Sequence, residues 1–160
     1  MKKKILFISS TGGHLDEMLQ LKDMFNMYDY HIITEKTISN LSLKDKYPNR
    51  VSFLVYGSYT KWYNKFIYPF KLLFNTLKSL CLYIKLRPGY IVSTGAHTAG
   101  PMLLIGHIFG SKIIYIETFA NSKTKSRTGS IVYKFADLFI VQWESMLELY
   151  PNAIYGGWIY

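Results

Sequence analysis

Ile5 to Ser9 is a continuous apolar, β-prone run. A Ser-Ser-Thr-Gly-Gly turn then leads into His14 to Met27, where Leu15, Met18, Leu19, Leu21 and Met24 recur at helical spacing. The pattern predicts strand, glycine turn, helix. Further short strands are predicted at His31 to Thr34, Val51 to Val55, Tyr90 to Ser93, Lys112 to Ile116 and Leu138 to Val141, with Ile154 and Tyr155 as one more. A helix from about Ala99 to Phe109 carries Pro101 near its start, where a missing N–H costs nothing. Strands alternating with helices imply an α/β domain with a parallel sheet covered on both faces. The Ser-, Thr- and Lys-rich stretch from Asn121 to Ser130 reads as the least ordered loop.

The stretch from Lys61 to Arg87 stands apart. Lys61, Lys65, Lys71, Asn75, Lys78 and Lys85 fall near one helical stripe, while Trp62, Phe66, Phe70, Phe74 and several leucines cover a much wider arc. Pro69 is expected to kink or break the helix. One sheet face cannot cover so wide an arc, which points to contact with a bilayer interface through Lys61, Trp62, Lys65, Phe66, Phe70, Lys71, Phe74 and Lys78. The bland alternative is a pair of core helices with a solvated basic face.

Composition adds limits. The 160 residues suit one domain, and 49% hydrophobic against 18% charged residues excludes a disordered chain. Lys and Arg exceed Asp and Glu by 19 to 10, a net charge of +9. The basic residues are interspersed with apolar ones and no zinc-finger, helix-turn-helix or RNP-like motif accompanies them, which disfavours nucleic acid. One cysteine, Cys81, excludes an internal disulfide framework and a multi-cysteine zinc site. Set in an apolar helical stretch, it reads as a small hydrophobe. No metal site and no bound cofactor is expected. The apolar run after Lys2 to Lys4 ends too early for a secretory signal.

Two glycine turns carry candidate chemistry. Thr11-Gly12-Gly13-His14 follows the first strand and opens a helix, a setting that suits phosphate or another anion. It is neither a dinucleotide fingerprint nor a P-loop. Thr94-Gly95-Ala96-His97 follows a later strand in the same way, and two such turns at one sheet edge form a crevice. His14 reads either as a site residue or as an ordinary helix start, and His97 as a ligand or a surface histidine. Glu117, at the end of the strand Ile113 to Ile116, either binds a sugar hydroxyl or holds a loop. Asp16 and Glu17 read as first-turn helix stabilisers rather than catalysts.

Taken in order, Ser10-Thr11-Gly12-Gly13-His14-Leu15-Asp16-Glu17, Thr94-Gly95-Ala96, Ile116-Glu117-Thr118-Phe119-Ala120, and Ala136 to Trp143 with Tyr150-Pro151 resemble one family. It is the small-subunit family of bacterial capsule and exopolysaccharide glycosyltransferases. That family is related to the membrane-anchoring subunit of the eukaryotic enzyme that adds the second N-acetylglucosamine to dolichol diphosphate.

The resemblance implies a Rossmann-like sheet equivalent to the N-terminal, acceptor-side half of a GT-B glycosyltransferase, with residues 1–160 forming that single domain. It implies a separate donor-side subunit that holds the UDP-sugar, a polyprenyl-diphosphate-linked sugar as acceptor, and peripheral attachment to the cytoplasmic face of the cell membrane. Under this reading His14 and Glu117 are catalytic, and Thr11, Gly12, Gly13, Thr94, Gly95 and His97 bind the acceptor diphosphate. The eukaryotic relatives carry an N-terminal anchor that Met1 to Lys4 does not supply, so residues 61–87 are expected to replace it. A non-catalytic membrane adaptor that recruits and activates the catalytic subunit is the rival expectation.

Overall fold

The computed structural model describes residues 4–57 and 64–159, with the side chains of residues 64–66 outside the description. Seven strands form one sheet: β1 (Ile5–Ser9), β2 (Tyr30–Glu35), β3 (Val51–Leu54), β4 (Tyr90–Gly95), β5 (Lys112–Ile116), β6 (Leu138–Val141) and β7 (Ile154–Tyr155). Their order is β3-β2-β1-β4-β5-β6-β7, and every pairing is parallel. Each strand predicted from the pattern is present. The near-continuous apolar runs of β1 and β5 follow from burial on both faces.

The helices are α1 (Gly13–Leu19), α2 (Asp23–Met27), α3 (Leu43–Lys46), α4 (Asn64–Leu86), α5 (Gly100–Ile108) and α6 (Arg127–Val132). Two apolar clusters fill the faces of the sheet. One gathers Leu6, Ile8, Ile33 and Ile91 with Met102, Leu103 and Tyr150, and the other Phe7 and Ile32 with Leu15, Met18 and Phe25. α5 packs closely because Gly106 leaves room for Ile91 and Ile113 of the sheet.

Five expectations are corrected. The helix expected over His14 to Met27 is interrupted by a 3-10 turn at Gln20–Lys22. α4 runs as one helix past Pro69, so the break expected there does not occur, although the proline ring removes one N–H bond of the ladder. Asn75 does not share the basic stripe; it is buried, donating its Nδ2 to the Val55 carbonyl at 2.9 Å and accepting the Val55 N–H at 2.8 Å. Cys81 is exposed rather than packed as a core hydrophobe. The stretch Asn121 to Ser130 is also less open than expected, since Ser126 caps α6 by accepting the Gly129 N–H at 2.9 Å.

α4 has an inverted face. Its buried line is Asn75, Ser79 and Tyr83, at four-residue spacing, whereas Phe70, Leu73, Phe74 and Leu77 are all exposed, Phe70 to 73%. α5, packed beside it, adds exposed Leu104, Ile108 and Phe109. Among the described residues no helix is long and apolar enough to cross a membrane.

Candidate functional site

In a parallel sheet the loops that face a ligand lie at the carboxyl ends of the strands, and strand order reverses between β1 and β4. The turns after β1 and β4 meet at that point. His14 Nδ1 lies 2.9 Å from the Thr94 carbonyl, and Thr94 Oγ1 returns a bond of 2.6 Å to the His14 carbonyl. A carbonyl only accepts, so Nδ1 carries the proton in this bond. The lone pair of the neutral ring therefore sits on Nε2, the tautomer a general base requires. Gly95 has φ +102° and lies against the His14 ring and the Tyr115 hydroxyl. A side chain there would be strained and crowded, which accounts for glycine at this position.

Two cavities open on His14. The first, about 390 Å³, is lined by His14, Ala96, His97, Tyr115, Ser126 and Arg127 among others. The second, about 600 Å³, is lined by Gly13, His14, Glu17, Thr118, Phe119, Ala120 and Trp158. His14, Thr118 and Ala120 border both. The glycine turns are thus brought together with His14 as sequence reasoning expected, and His97 lines the first cavity while bonding the Gly57 carbonyl through Nε2 at 3.0 Å.

Two buried carboxylates hold the loops. Glu35, at the end of β2, accepts the Thr11 N–H on Oε2 at 3.1 Å, and on Oε1 the Gly57 N–H at 3.0 Å and the Thr98 hydroxyl at 2.6 Å. Asn40 completes the clamp by donating to Thr11 Oγ1 at 3.0 Å and to the Glu35 carbonyl at 3.2 Å. Thr11 is therefore a fastened part of the turn. Sequence reasoning did not single out Glu35 or Asn40; an acidic residue ending an otherwise apolar strand was the available signal.

Glu117 is 1% exposed, and it lines neither cavity. Its Oε2 accepts from the Tyr150 hydroxyl at 2.8 Å and Ser126 Oγ at 3.0 Å, and its Oε1 from the Thr118 N–H at 3.1 Å. Burial, aided by the adjacent Glu117 charge, pushes both the Tyr115 and Tyr150 phenols well above their ordinary range, so both stay protonated. Of the two roles read for Glu117, this geometry matches holding a loop.

Glu17 corrects the sequence reading more sharply. It is 2% exposed, not a first-turn surface residue, and its Oε1 accepts the Thr118 hydroxyl and the Phe119 N–H, both at 2.9 Å. Burial raises its carboxyl above the usual carboxylate range, against the opposing pull of these bonds and of His14.

Of the proposed membrane-contact residues, Lys61 and Trp62 lie outside the described residues, as do the side chains of Lys65 and Phe66. Phe70 and Phe74 are exposed, and Lys71 and Lys78 half-buried, on the outer side of α4.

The seven-stranded parallel sheet with its crevice at the β1/β4 switch has the fold of one half of GT-B-type structures. MurG of Acinetobacter baumannii superposes with a TM-score of 0.69 at 18% identity, over 89% of this chain and 42% of that one. UDP-N-acetylglucosamine 2-epimerase from Rickettsia bellii does so with a TM-score of 0.70 at 11% identity, over 99% and 46%. The chain thus spans less than half the length of these structures, and the likeness shows the fold alone. Residues 63–159 match the family described as "Oligosaccharide biosynthesis protein Alg14 like". The human UDP-N-acetylglucosamine transferase subunit ALG14 is 31% identical over 184 residues, covering 96% of this chain and 81% of that protein. Its Schizosaccharomyces pombe counterpart is 27% identical, covering 98% and 83%. The chain belongs to the Alg14 family of glycosyltransferase subunits.

Proposed function

We propose that this chain is the acceptor-side half of an inverting glycosyltransferase that extends a polyprenyl-diphosphate-linked sugar. The donor UDP-sugar is held mainly by a second, donor-side subunit. The single observation that carries the reading is His14: its Nδ1 is committed to the Thr94 carbonyl, and its ring borders both cavities at the switch point. Inverting transfer needs a base to take the acceptor hydroxyl proton as the sugar–phosphate bond breaks, and His14 Nε2 supplies it. The first cavity suits the acceptor diphosphate, with Arg127, His97 and the Ser126 and Thr128 hydroxyls on its walls; of the glycine turns only His14, Ala96 and His97 reach it. The relatives' names support an N-acetylglucosamine donor. The capsular or exopolysaccharide setting rests on the sequence resemblance alone.

Glu117 is a positioning residue in this scheme. Its carboxylate fixes Thr118, which borders both cavities, and Ser126, which lines the first. The exposed Phe70, Leu73, Phe74 and Leu77 of α4, rimmed by Lys71 and Lys78, are the surface through which the domain attaches to the cytoplasmic side of the membrane. That attachment brings the polyprenyl tail beside the crevice.

The test is co-expression with a donor-side partner and transfer of radiolabelled sugar from its UDP form to prenyl-diphosphate-linked acceptor in membranes. Transfer that needs both chains supports the half-site reading. A partner fully active alone, only enhanced by this chain, favours the adaptor.

A further inference from the structure

α4 runs from the carboxyl end of β3 to the amino end of β4, so its last turn lies at the opposite edge of the sheet from the crevice. A third cavity opens there, about 420 Å³, lined by Tyr83, Ile84, Arg87, Pro88 and Phe109. Arg87 has φ +45°, in the left-handed region that favours glycine, just past the end of the helix. Its N–H bonds the Tyr83 carbonyl at 2.7 Å. Glycine would end the helix in this way without strain, so what arginine adds here is its side chain. That side chain is exposed, and no carboxylate among the described residues pairs with it, since Asp29 takes Lys4 and Arg50 and Asp137 takes Lys112.

The rest of the cavity is held in shape by its own bonds. Ser111 Oγ donates to the Pro88 carbonyl at 2.6 Å and accepts the Tyr83 hydroxyl at 2.9 Å, and the Tyr83 and Phe109 rings lie 5.4 Å apart. Ile84 and Phe109 are exposed, and both continue the apolar face of α4 and α5. Ile84 follows Leu77 by seven residues on the same side of α4, and Phe109 follows exposed Ile108. An unpaired guanidinium therefore sits at the end of an apolar surface.

We propose that this third cavity receives the headgroup of an anionic bilayer phospholipid, its phosphodiester on Arg87 and its acyl chains against Ile84 and Phe109. A phosphodiester joined to hydrocarbon tails matches a guanidinium beside exposed apolar side chains, whereas free phosphate would leave those side chains in water. Charge favours the same occupant, with exposed Lys85 close by in sequence and a net +9 over the chain. The position has a geometric consequence. The 23 residues of α4 rise about 35 Å. Contacts at Phe70 to Leu77 and again at Arg87 hold the helix, and with it the strands that run antiparallel to it, along the plane of the bilayer. The crevice at the carboxyl edge then opens level with the membrane surface, where a prenyl-linked diphosphate is presented. The assignment rests on the membrane attachment proposed above.

The test is co-sedimentation of the full chain with vesicles of equal parts phosphatidylglycerol and phosphatidylcholine. Arg87→Gly is expected to weaken binding about fivefold, with Tm equal to or above wild type because glycine relieves the left-handed backbone. Arg87→Lys keeps the charge but loses the planar pair of donors, and is expected to weaken binding about threefold. Lys85→Gln removes the same charge two residues away and is expected to cost less than about twofold. Equal losses for Arg87→Gly and Lys85→Gln, or wild-type binding by Arg87→Lys, mean diffuse attraction and overturn the site. Dihexanoyl phosphatidylglycerol below its micelle concentration is expected to shift the NMR resonances of the Tyr83 and Phe109 rings in wild type and not in Arg87→Gly. No shift, or an equal shift with inorganic phosphate, overturns the lipid assignment. Phe70→Glu with Phe74→Glu separates the two claims. Wild-type sedimentation by that chain, with the short-lipid shift present, keeps the headgroup site and removes the α4 attachment. Lost sedimentation with no short-lipid shift in wild type keeps the attachment and removes the site.

Discussion

Gly129→Ala is the sharpest test of the buried network behind the crevice. Gly129 lies in α6, and a methyl group there would overlap Glu117 Oε2 while sitting 2.7 Å from Ser126 Oγ and 2.9 Å from the Tyr150 hydroxyl. None of the three atoms moves independently, because Tyr150 and Ser126 both donate to that same oxygen. Making room breaks at least these two bonds. Each is a hydrogen bond to a charged group worth about 1.5–3 kcal/mol, so the loss is about 3–6 kcal/mol. Alanine returns about 1 kcal/mol through its better helix propensity. The net expectation is destabilisation by about 2–5 kcal/mol, or a Tm drop on the order of 10 °C for a domain of this size. Urea unfolding followed by circular dichroism measures it. Tyr150→Phe should cost about 2 kcal/mol in the wild type and much less in the Gly129→Ala background, because the bond it removes is already broken. A Gly129→Ala chain as stable as wild type, or strictly additive costs, would refute the reasoning.

Further outcomes follow from the same structure. Glu35→Ala removes the acceptor for the Thr11 and Gly57 N–H groups and the Thr98 hydroxyl, and should destabilise the chain by about 2–4 kcal/mol in urea unfolding. His31 is buried, and burial, with the positive charges of Lys4, Arg50 and Lys85, pushes its pKa down to about 4. A folded pKa below the unfolded value of about 6.5 means stability is full above pH 6.5 and falls as the pH drops toward 4, by about 3 kcal/mol; His31→Gln should flatten that slope in urea titrations across the range. Phe70→Glu with Phe74→Glu should abolish co-sedimentation with anionic liposomes without lowering Tm, since both side chains are exposed; unchanged binding would move the membrane contact elsewhere.

The parallel sheet was legible because strands buried on both faces leave unbroken apolar runs such as Ile5 to Ile8, and because a glycine turn follows β1 and closes β4. The pairing of His14 with the second turn was legible for the same reason. The roles of the carboxylates were not. Glu17 occupies a helix position that reads as surface by charge alone, and only the return of Thr118 and Phe119 from about a hundred residues away buries it. Glu35 and Glu117 likewise acquire their roles from long-range partners that no local pattern encodes. The exposed apolar face of α4, with Phe70 and Phe74, was legible from the width of its apolar arc, but the line that faces the sheet was not. Asn75 falls near the lysine stripe by spacing alone, and only its clamp on the Val55 backbone, a partner twenty residues away, turns that side of the helix to the sheet.

The central claim is that His14 is the base in a site shared between two chains. The most direct measurement is single-turnover transfer of sugar by the partnered complex carrying His14→Ala, with binding of the prenyl-diphosphate acceptor measured alongside. The account predicts that transfer falls by about a hundredfold or more while acceptor binding and Tm change little. Transfer at near the wild-type rate would contradict it.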